Sequence, residues 1–254
     1  MIVIKNEKEL ERMRVAGRVT ACICGEIARC VGPGVETGEL DALARELISK
    51  AGGRSAFLGY RGYPGHVCIS VNEEVVHGIP GRRRVEMGDI VSLDVGVEVD
   101  GFIGDTATTV GVGVTDPGRL RLISAGEEAL RRGIEAARAG ARLSDISHAI
   151  EQSVLRRGFS VVRDFVGHGV GRKMHEEPQI PNFGPAGRGP KLAAGMTLAI
   201  EPMINGGSHE VRVLDDGWTV VTRDGAPSVH FEHTIAIAEG EAEILTSAGS
   251  ERKN

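Results

Sequence analysis

The sequence predicts a mixed α/β fold of the α+β kind: two pseudo-symmetric halves, each built helix, helix, sheet, around a central antiparallel sheet. Three observations predict it. Apolar stripes at helical spacing and runs rich in β-branched residues come in blocks rather than one by one. The order of blocks occurs twice along the chain. The acidic strand segment GDIVSLD, ending at Asp94, recurs as GMTLAIE, ending at Glu201, 107 positions later. With 254 residues and 41% hydrophobic content there is enough apolar surface for one sizeable core, so 1–254 reads as a single domain with halves of about 1–115 and 116–254.

The elements follow in order. Asn6 with Glu7 and Glu9 marks a helix start, and Leu10, Met13, Ala16, Val19, Ile23 and Ile27 recur every three or four residues until Gly32-Pro33-Gly34. Thr37 caps a second helix whose Leu40, Leu43, Ala44, Leu47 and Ile48 form one stripe, ended by Gly52-Gly53. VCISV (67–71), DIVSLDVGVEV (89–99) and FIGDTATTVGVGV (102–114) read as strands, with Asp100-Gly101 as a hairpin turn between the last two. Asp116-Pro117 opens a helix to about Arg138 and Ser144 another to about Leu155. MTLAIEPMI, GWTVVTRDG and HFEHTIAIA are then the strands of the second half, and the Gly/Pro-rich stretch 178–195 reads as a loop. Within the repeat, Val76-His77-Gly78 echoes Gly167-His168-Gly169.

Composition excludes several function classes. Lys and Arg total 30 against 35 Asp and Glu, a net charge of -5, so no whole-surface attraction to nucleic acid or anionic membrane is expected. Arg82-Arg83-Arg84 reads as a solvated loop, with a ribosome or nucleic-acid contact as the sharper alternative. The opening MIVIKNEKELERM has no apolar region of signal length, and no later stretch nears the roughly 20 apolar residues of a membrane span. The chain therefore reads as cytoplasmic. Cys22, Cys24, Cys30 and Cys68 are expected to be buried free thiols.

Carboxylates inside apolar strands are the strongest chemical signal, because burying an ionised Asp or Glu costs several kcal/mol without a cation or partner. Asp94 in IVSLDVG, Asp105 in FIGDTAT, Glu201 in TLAIEPM and Glu232 in VHFEHTI are four such residues. His168 in VGHGVG has glycines on both sides, which leaves its imidazole open. Two Asp, one His and two Glu form an oxygen-rich set suited to two divalent cations about 3.5–4 Å apart. Mn, Fe(II), Co and Zn are all admissible, and the oxygen bias argues against a thiolate-type structural zinc site. Asp94 and Asp105 are expected to face each other across the hairpin. His175 and His77 are candidates for the same cleft, His230 and His233 flank Glu232 as supporting residues, and GHGVG and GVGV lack the spacing of phosphate loops.

At these residues the chain resembles the methionine aminopeptidases of the bacterial, short type I kind, over nearly its whole length. The motifs are Val76-His77-Gly78-Ile79-Pro80, Ser92-Leu93-Asp94-Val95-Gly96, Gly104-Asp105-Thr106, GHGVGRKMHEEP from Gly167 to Pro178, Ile200-Glu201-Pro202-Met203 and Phe231-Glu232-His233-Thr234. The resemblance implies a pita-bread fold with a dinuclear metal site between the halves, its ligands Asp94, Asp105, His168, Glu201 and Glu232, with Asp105 and Glu232 bridging. It implies that His175 hydrogen-bonds the scissile carbonyl, that His77 contacts the substrate backbone or amine, and that Glu201 takes the proton of the attacking water. It also implies a methionine pocket formed by Tyr60, Tyr63, Cys68 and Trp218, a monomer, and nascent polypeptide N-termini as partners. Met174 stands where many relatives have an aromatic residue and Phe57 where some have Cys, and both bear on the shape of that pocket. Competing readings are an Xaa-Pro peptidase of the same fold, a non-catalytic member that binds ribosomes or RNA, and a metal-binding protein without turnover.

Overall fold

The capping box expected at Asn6 forms: its side chain accepts from Glu9 N and the Glu9 carboxylate accepts from Asn6 N, starting α1 over Glu7–Cys30. The computed structural model describes residues 1–247. The other helices are α2 (Thr37–Lys50), α3 (Pro117–Ala136) and α4 (Leu143–Arg156). Strands in chain order are β1 (Arg54–Ser55), β2 (Cys68–Val71), β3 (Glu74–Val76), β4 (Ile90–Val99), β5 (Phe102–Gly111), β6 (Ser160–Val161), β7 (Gly167–Gly169) and β8 (Glu176–Ile180). They continue as β9 (Thr197–Ile200), β10 (Met203–Asn205), β11 (Val211–Val213), β12 (Val220–Thr222), β13 (Ser228–His230), β14 (Glu232–Ala236) and β15 (Glu243–Ile244).

The central sheet runs β1-β4-β5-β14-β9-β7-β8, with β2 also on β4 and β15 also on β14. Its order mirrors about the β5/β14 pair: β4 flanks β5 as β9 flanks β14, and β2 lies outside β4 as β7 lies outside β9. All these pairs are antiparallel. The helical halves repeat as well. An isolated bridge joins Glu36, before α2, to Arg84, and its counterpart joins Arg142, before α4, to Lys191. Each half has its own apolar cluster. Met13, Ile27, Leu40, Leu93 and Phe102 belong to the first, and Leu122, Ile146, Ile150, Leu198 and Ile235 to the second. This is the pita-bread arrangement that the resemblance implied.

Several boundaries differ from expectation for physical reasons. Thr37 does not cap α2; Glu36 does, with Glu39 accepting from Glu36 N, because the Thr37 hydroxyl is engaged with Gly81 N and Gly81 O. Ser144 does not cap α4 either. Its hydroxyl accepts from Arg188 N, while Arg142 is the cap residue and Asp145 accepts from its N–H. Both hydroxyls tie a loop to a helix start. The segment MTLAIEPMI is not one strand: Pro202 lacks an N–H for the ladder, and β9 and β10 end up in different sheets. HFEHTIAIA likewise divides at Phe231 between β13 and β14. The expected loop 178–195 instead begins within β8, which runs to Ile180 before the chain becomes irregular. The Asp100-Gly101 turn forms as expected, with φ of 50° and 77° at its two residues. Of the cysteines, only Cys24 and Cys68 are buried, whereas Cys22 and Cys30 lie on the outer side of α1. No helix among the described residues is long and apolar enough to cross a membrane.

Glycines flank His168 because the backbone is tightly hemmed there rather than to keep the imidazole open. A Cβ on Gly167 would lie 2.5 Å from Ala199 O, and one on Gly169 2.2 Å from Glu177 O, so β7 can sit between its neighbours only without side chains at these positions. Gly169→Ala is expected to cost about 1–3 kcal/mol, the usual range for overpacking. Urea denaturation checks this, and an unchanged midpoint would show that β7 has room to shift.

Candidate active site

Strand register alone gathers the acidic residues onto one face. Asp94 on β4 is paired with Ala107 on β5, which is paired with Glu232 on β14. His233 is paired with Ile200, so continuing that register by one residue sets Glu201 beside Glu232. One row across four strands therefore reads Asp94, Ala107, Glu232, Glu201, with the small Ala107 leaving space between acids. Asp105 is two residues from Ala107 and shares its face. It sits opposite Gly96, diagonal to Asp94 rather than directly across as the turn position suggested. His168 is paired with Ala199, two residues from Glu201, and joins the same face from β7.

The side chains converge accordingly. Ligand atoms of Asp105, His168 and Glu232 lie within 4.8 Å of one another. His168 Nε2 is 3.3 Å from Glu201 Oε1 and 3.7 Å from Asp105 Oδ2. All five residues line one cavity of about 420 Å³. Asp94 Oδ1, Asp105 Oδ1 and Glu232 Oε1 are buried without a hydrogen-bond partner among the described residues. A protein does not leave several acceptor oxygens unpaired in a dry site unless something else satisfies them. The donor set, four carboxylates and an imidazole, fits divalent cations of the Mn, Fe, Co and Zn group.

Electrostatics agree with that fit. Burial raises the pKa values of Asp94, Glu201 and Glu232 well above the carboxylate range, and mutual repulsion adds to it. Asp105 rises to about 7, also from burial. The His168 pKa falls to about 3 through burial and proximity to His175, so its ring is neutral and has a lone pair to offer. Its Nδ1–H donates to Gly169 O at 2.9 Å, which turns that lone pair, on Nε2, toward the acids. His230, its pKa lowered to about 3 by burial and by His77, lies behind Glu201 with Nε2 3.7 Å from Oε2. His233 turns the other way and bonds the Thr246 hydroxyl.

His175 and His77 stand at the rim of the same cavity. The His175 ring is 4.2 Å from that of His168, and its Nδ1 is 2.9 Å from the Tyr60 hydroxyl. Burial and the nearby Arg61 lower its pKa, favouring the neutral form. A Tyr60 hydroxyl that donates to Nδ1 would leave the proton of the neutral ring on Nε2. His77 has φ of 59° and is wedged edge-on against Phe165 and Trp218. Burial, reinforced by His175, takes its pKa down to about 4. The pairing of His77 with His168 suggested by the repeat does not hold in the topology. The counterpart of β7 is β2, whereas His77 follows β3, which belongs to the separate β11-β12-β3 sheet.

An apolar recess adjoins the acids. Tyr60, Tyr63, Cys68 and Trp218 line it together with Phe57 and Met174. Tyr63 packs edge-on to Trp218 with ring centres 5.1 Å apart, and its hydroxyl donates to Gly78 O. Burial, with Asp94 nearby, raises the Cys68 thiol well above its usual range, so it stays neutral. Phe57 lies where a Cβ on Gly96 would be, 2.5 Å from its ring. Sequence reasoning missed Phe165 and Met203 in this lining. Phe165 stands three residues before His168, which was a usable signal; Met203 had only its place after Pro202.

The profile of metallopeptidase family M24 matches residues 11–239. The chain belongs to this family. Among M24 members it stands with the methionine aminopeptidases: that of Clostridium perfringens is 53% identical over 246 residues, 97% of this chain and 99% of the relative. The crystal structure of methionine aminopeptidase from Thermotoga maritima, 48% identical, superposes with a TM-score of 0.95 and covers 97% of this chain and 100% of its own. The prolidase from Pyrococcus furiosus shares the fold alone, at 22% identity and a TM-score of 0.79, and this chain covers 66% of it. An M24 metallopeptidase needs a metal centre, and the carboxylate face is where this chain has the donors for one.

Proposed function

We propose that the chain removes the N-terminal methionine from nascent polypeptides and peptides, favours small second residues, and works in the cytoplasm as a monomer. The observation that carries this reading is the adjacency of two features: a buried face of four carboxylates and one histidine, and an apolar recess opening beside it. Asp94, Asp105, His168, Glu201 and Glu232 would hold two divalent cations. Such a pair supplies a water acidic enough to attack an amide at neutral pH and positive charge for the substrate amine and carbonyl.

The chain's own residues do the rest. Glu201 accepts the proton of the attacking water and passes it to the leaving amine. His175, neutral and with its Nε2–H directed by the Tyr60 bond at Nδ1, donates to the carbonyl oxygen as negative charge develops there. His77 fixes the substrate backbone. The aromatic and sulfur surfaces of Tyr60, Tyr63, Cys68 and Trp218 receive the thioether side chain and exclude water from it. No covalent enzyme intermediate is required. In the basic loop Arg83 is paired with Glu74 and Arg84 with Glu36.

A panel of Met-Xaa peptides tests the assignment. Supplemented with Mn(II), the protein is expected to release methionine rapidly from Met-Gly, Met-Ala and Met-Ser peptides and to reject Met-Leu and Met-Arg. Equal hydrolysis of the Ala, Leu and Arg peptides would refute the second-residue rule. No release from any of them would refute the activity.

A further inference from the structure

Lys5 is only 5% exposed and is used by none of the chemistry above. Its Nζ lies 2.7 Å from Glu176 Oε2, and the two side chains are 3% and 10% exposed. A buried ion pair costs several kcal/mol per charge in desolvation, and only good geometry with further hydrogen bonds offsets it. The carboxylate has those bonds: Glu176 Oε1 accepts from Arg172 N at 2.9 Å and from Lys173 N at 3.2 Å. The Lys5 backbone is itself fixed, its N–H donating to Gly195 O at 2.8 Å.

The place of this pair matters more than its energy. Glu176 begins β8 and directly follows His175, at the end of the irregular segment 171–175 that leads from β7. Lys5 crosses the base of that segment where a glycine admits it: a Cβ on Gly171 would lie 2.7 Å from Lys5 Cε and 2.8 Å from Nζ. Met1 and Val3, from the same stretch as Lys5, line a cavity with His168, His175 and Gln179. The opening stretch of the chain is thus part of the wall of the site, and its one buried charge is anchored beside the proposed carbonyl donor.

We propose that Lys5 is a positioning residue for hydrolysis: through Glu176 it holds segment 171–175 so that His175 meets the scissile carbonyl. The inference rests on the reading of His175 as that donor. Displacing a positioned group by about 1 Å can cost up to 10²-fold in rate. Lys5→Met and Glu176→Gln, both metal-loaded, are therefore expected to lose about ten- to a hundredfold in kcat on a Met-Ala peptide, with KM and metal content nearly unchanged. Glu176→Gln keeps a neutral acceptor for Arg172 N and Lys173 N, so it carries the test if Lys5→Met does not fold.

The discriminating step is to repeat both substitutions in a His175→Ala background. If Lys5 acts through His175, they cause no further loss there. An equal loss in both backgrounds would reduce the ion pair to a general support of the fold and overturn the proposal. So would wild-type kcat in both single variants while His175→Ala is impaired. Wild-type kcat in His175→Ala itself would overturn the assignment of His175, and with it this inference.

Discussion

Chelation is expected to abolish turnover and lower the melting temperature, and readdition of Mn(II) or Co(II) to restore both. The reason is electrostatic. Without cations, Asp94, Asp105, Glu201 and Glu232 share a buried face on which burial holds their pKa values above the ordinary carboxylate range, with repulsion from neighbouring acids adding to it at Asp94, Glu201 and Glu232. In the unfolded chain they lose their protons near pH 4. Raised folded-state values stabilise the metal-free fold below about pH 4, and that contribution is lost as pH rises from there through the folded values, completely by about 7 for Asp105 and only at higher pH for Asp94, Glu201 and Glu232. The buried histidines oppose this only in acid. His77, His168 and His230, lowered to about 4, 3 and 3, cost stability as pH falls below the unfolded histidine value, which is about 6.5. Above about pH 7, where the unfolded histidines are neutral, the protons still held by Asp94, Glu201 and Glu232 dominate, so the melting temperature of metal-free protein falls as pH rises further. The loaded protein does not follow, because cation binding displaces the same protons and strengthens with pH. A metal-free melting temperature that rose from pH 7 to pH 9, or full turnover in protein shown metal-free by elemental analysis, would contradict the account.

The second large effect belongs to His175. If His175 is the proposed donor to the developing oxyanion, His175→Ala is expected to lose about 10²–10³ in kcat. It leaves the cation donors in place, so metal content is unchanged, and KM moves little because the bond forms mainly in the transition state. Steady-state kinetics on a Met-Ala peptide with metal analysis of the same sample read both quantities. An unchanged kcat would remove His175 from the chemistry; lost metal would make it a support of the centre instead.

Much of this site was legible because of a contradiction within the sequence. Asp94, Asp105, Glu201 and Glu232 sit in segments whose neighbours are buried, and ionised carboxylates do not belong there without compensation. The repeat located the sheet centre as well, since the two acidic strands fall at mirror positions about β5 and β14. It failed for His77, because similarity in short Gly-His motifs carries no information about which sheet a strand joins. Helix starts were shifted at Thr37 and Ser144 by tertiary bonds to Gly81 and Arg188, partners that local capping rules do not see. Tyr60 with His175 and Lys5 with Glu176 are contacts across 115 and 171 positions. No periodicity encodes them. The breaks at Pro202 and Phe231, by contrast, aim Glu201 and Glu232 at the ends of their strands, and Pro202 was a readable warning that one long strand would not form.

Calorimetric titration of Mn(II) into metal-free wild type, His77→Ala and His168→Ala tests the central claim most directly, because it counts cations and separates a donor from a substrate contact. Two cations per chain are expected for wild type, two with unchanged affinity for His77→Ala, and one fewer for His168→Ala. A single cation in the wild type, or a cation lost from His77→Ala and retained by His168→Ala, would contradict a dinuclear centre built from Asp94, Asp105, His168, Glu201 and Glu232.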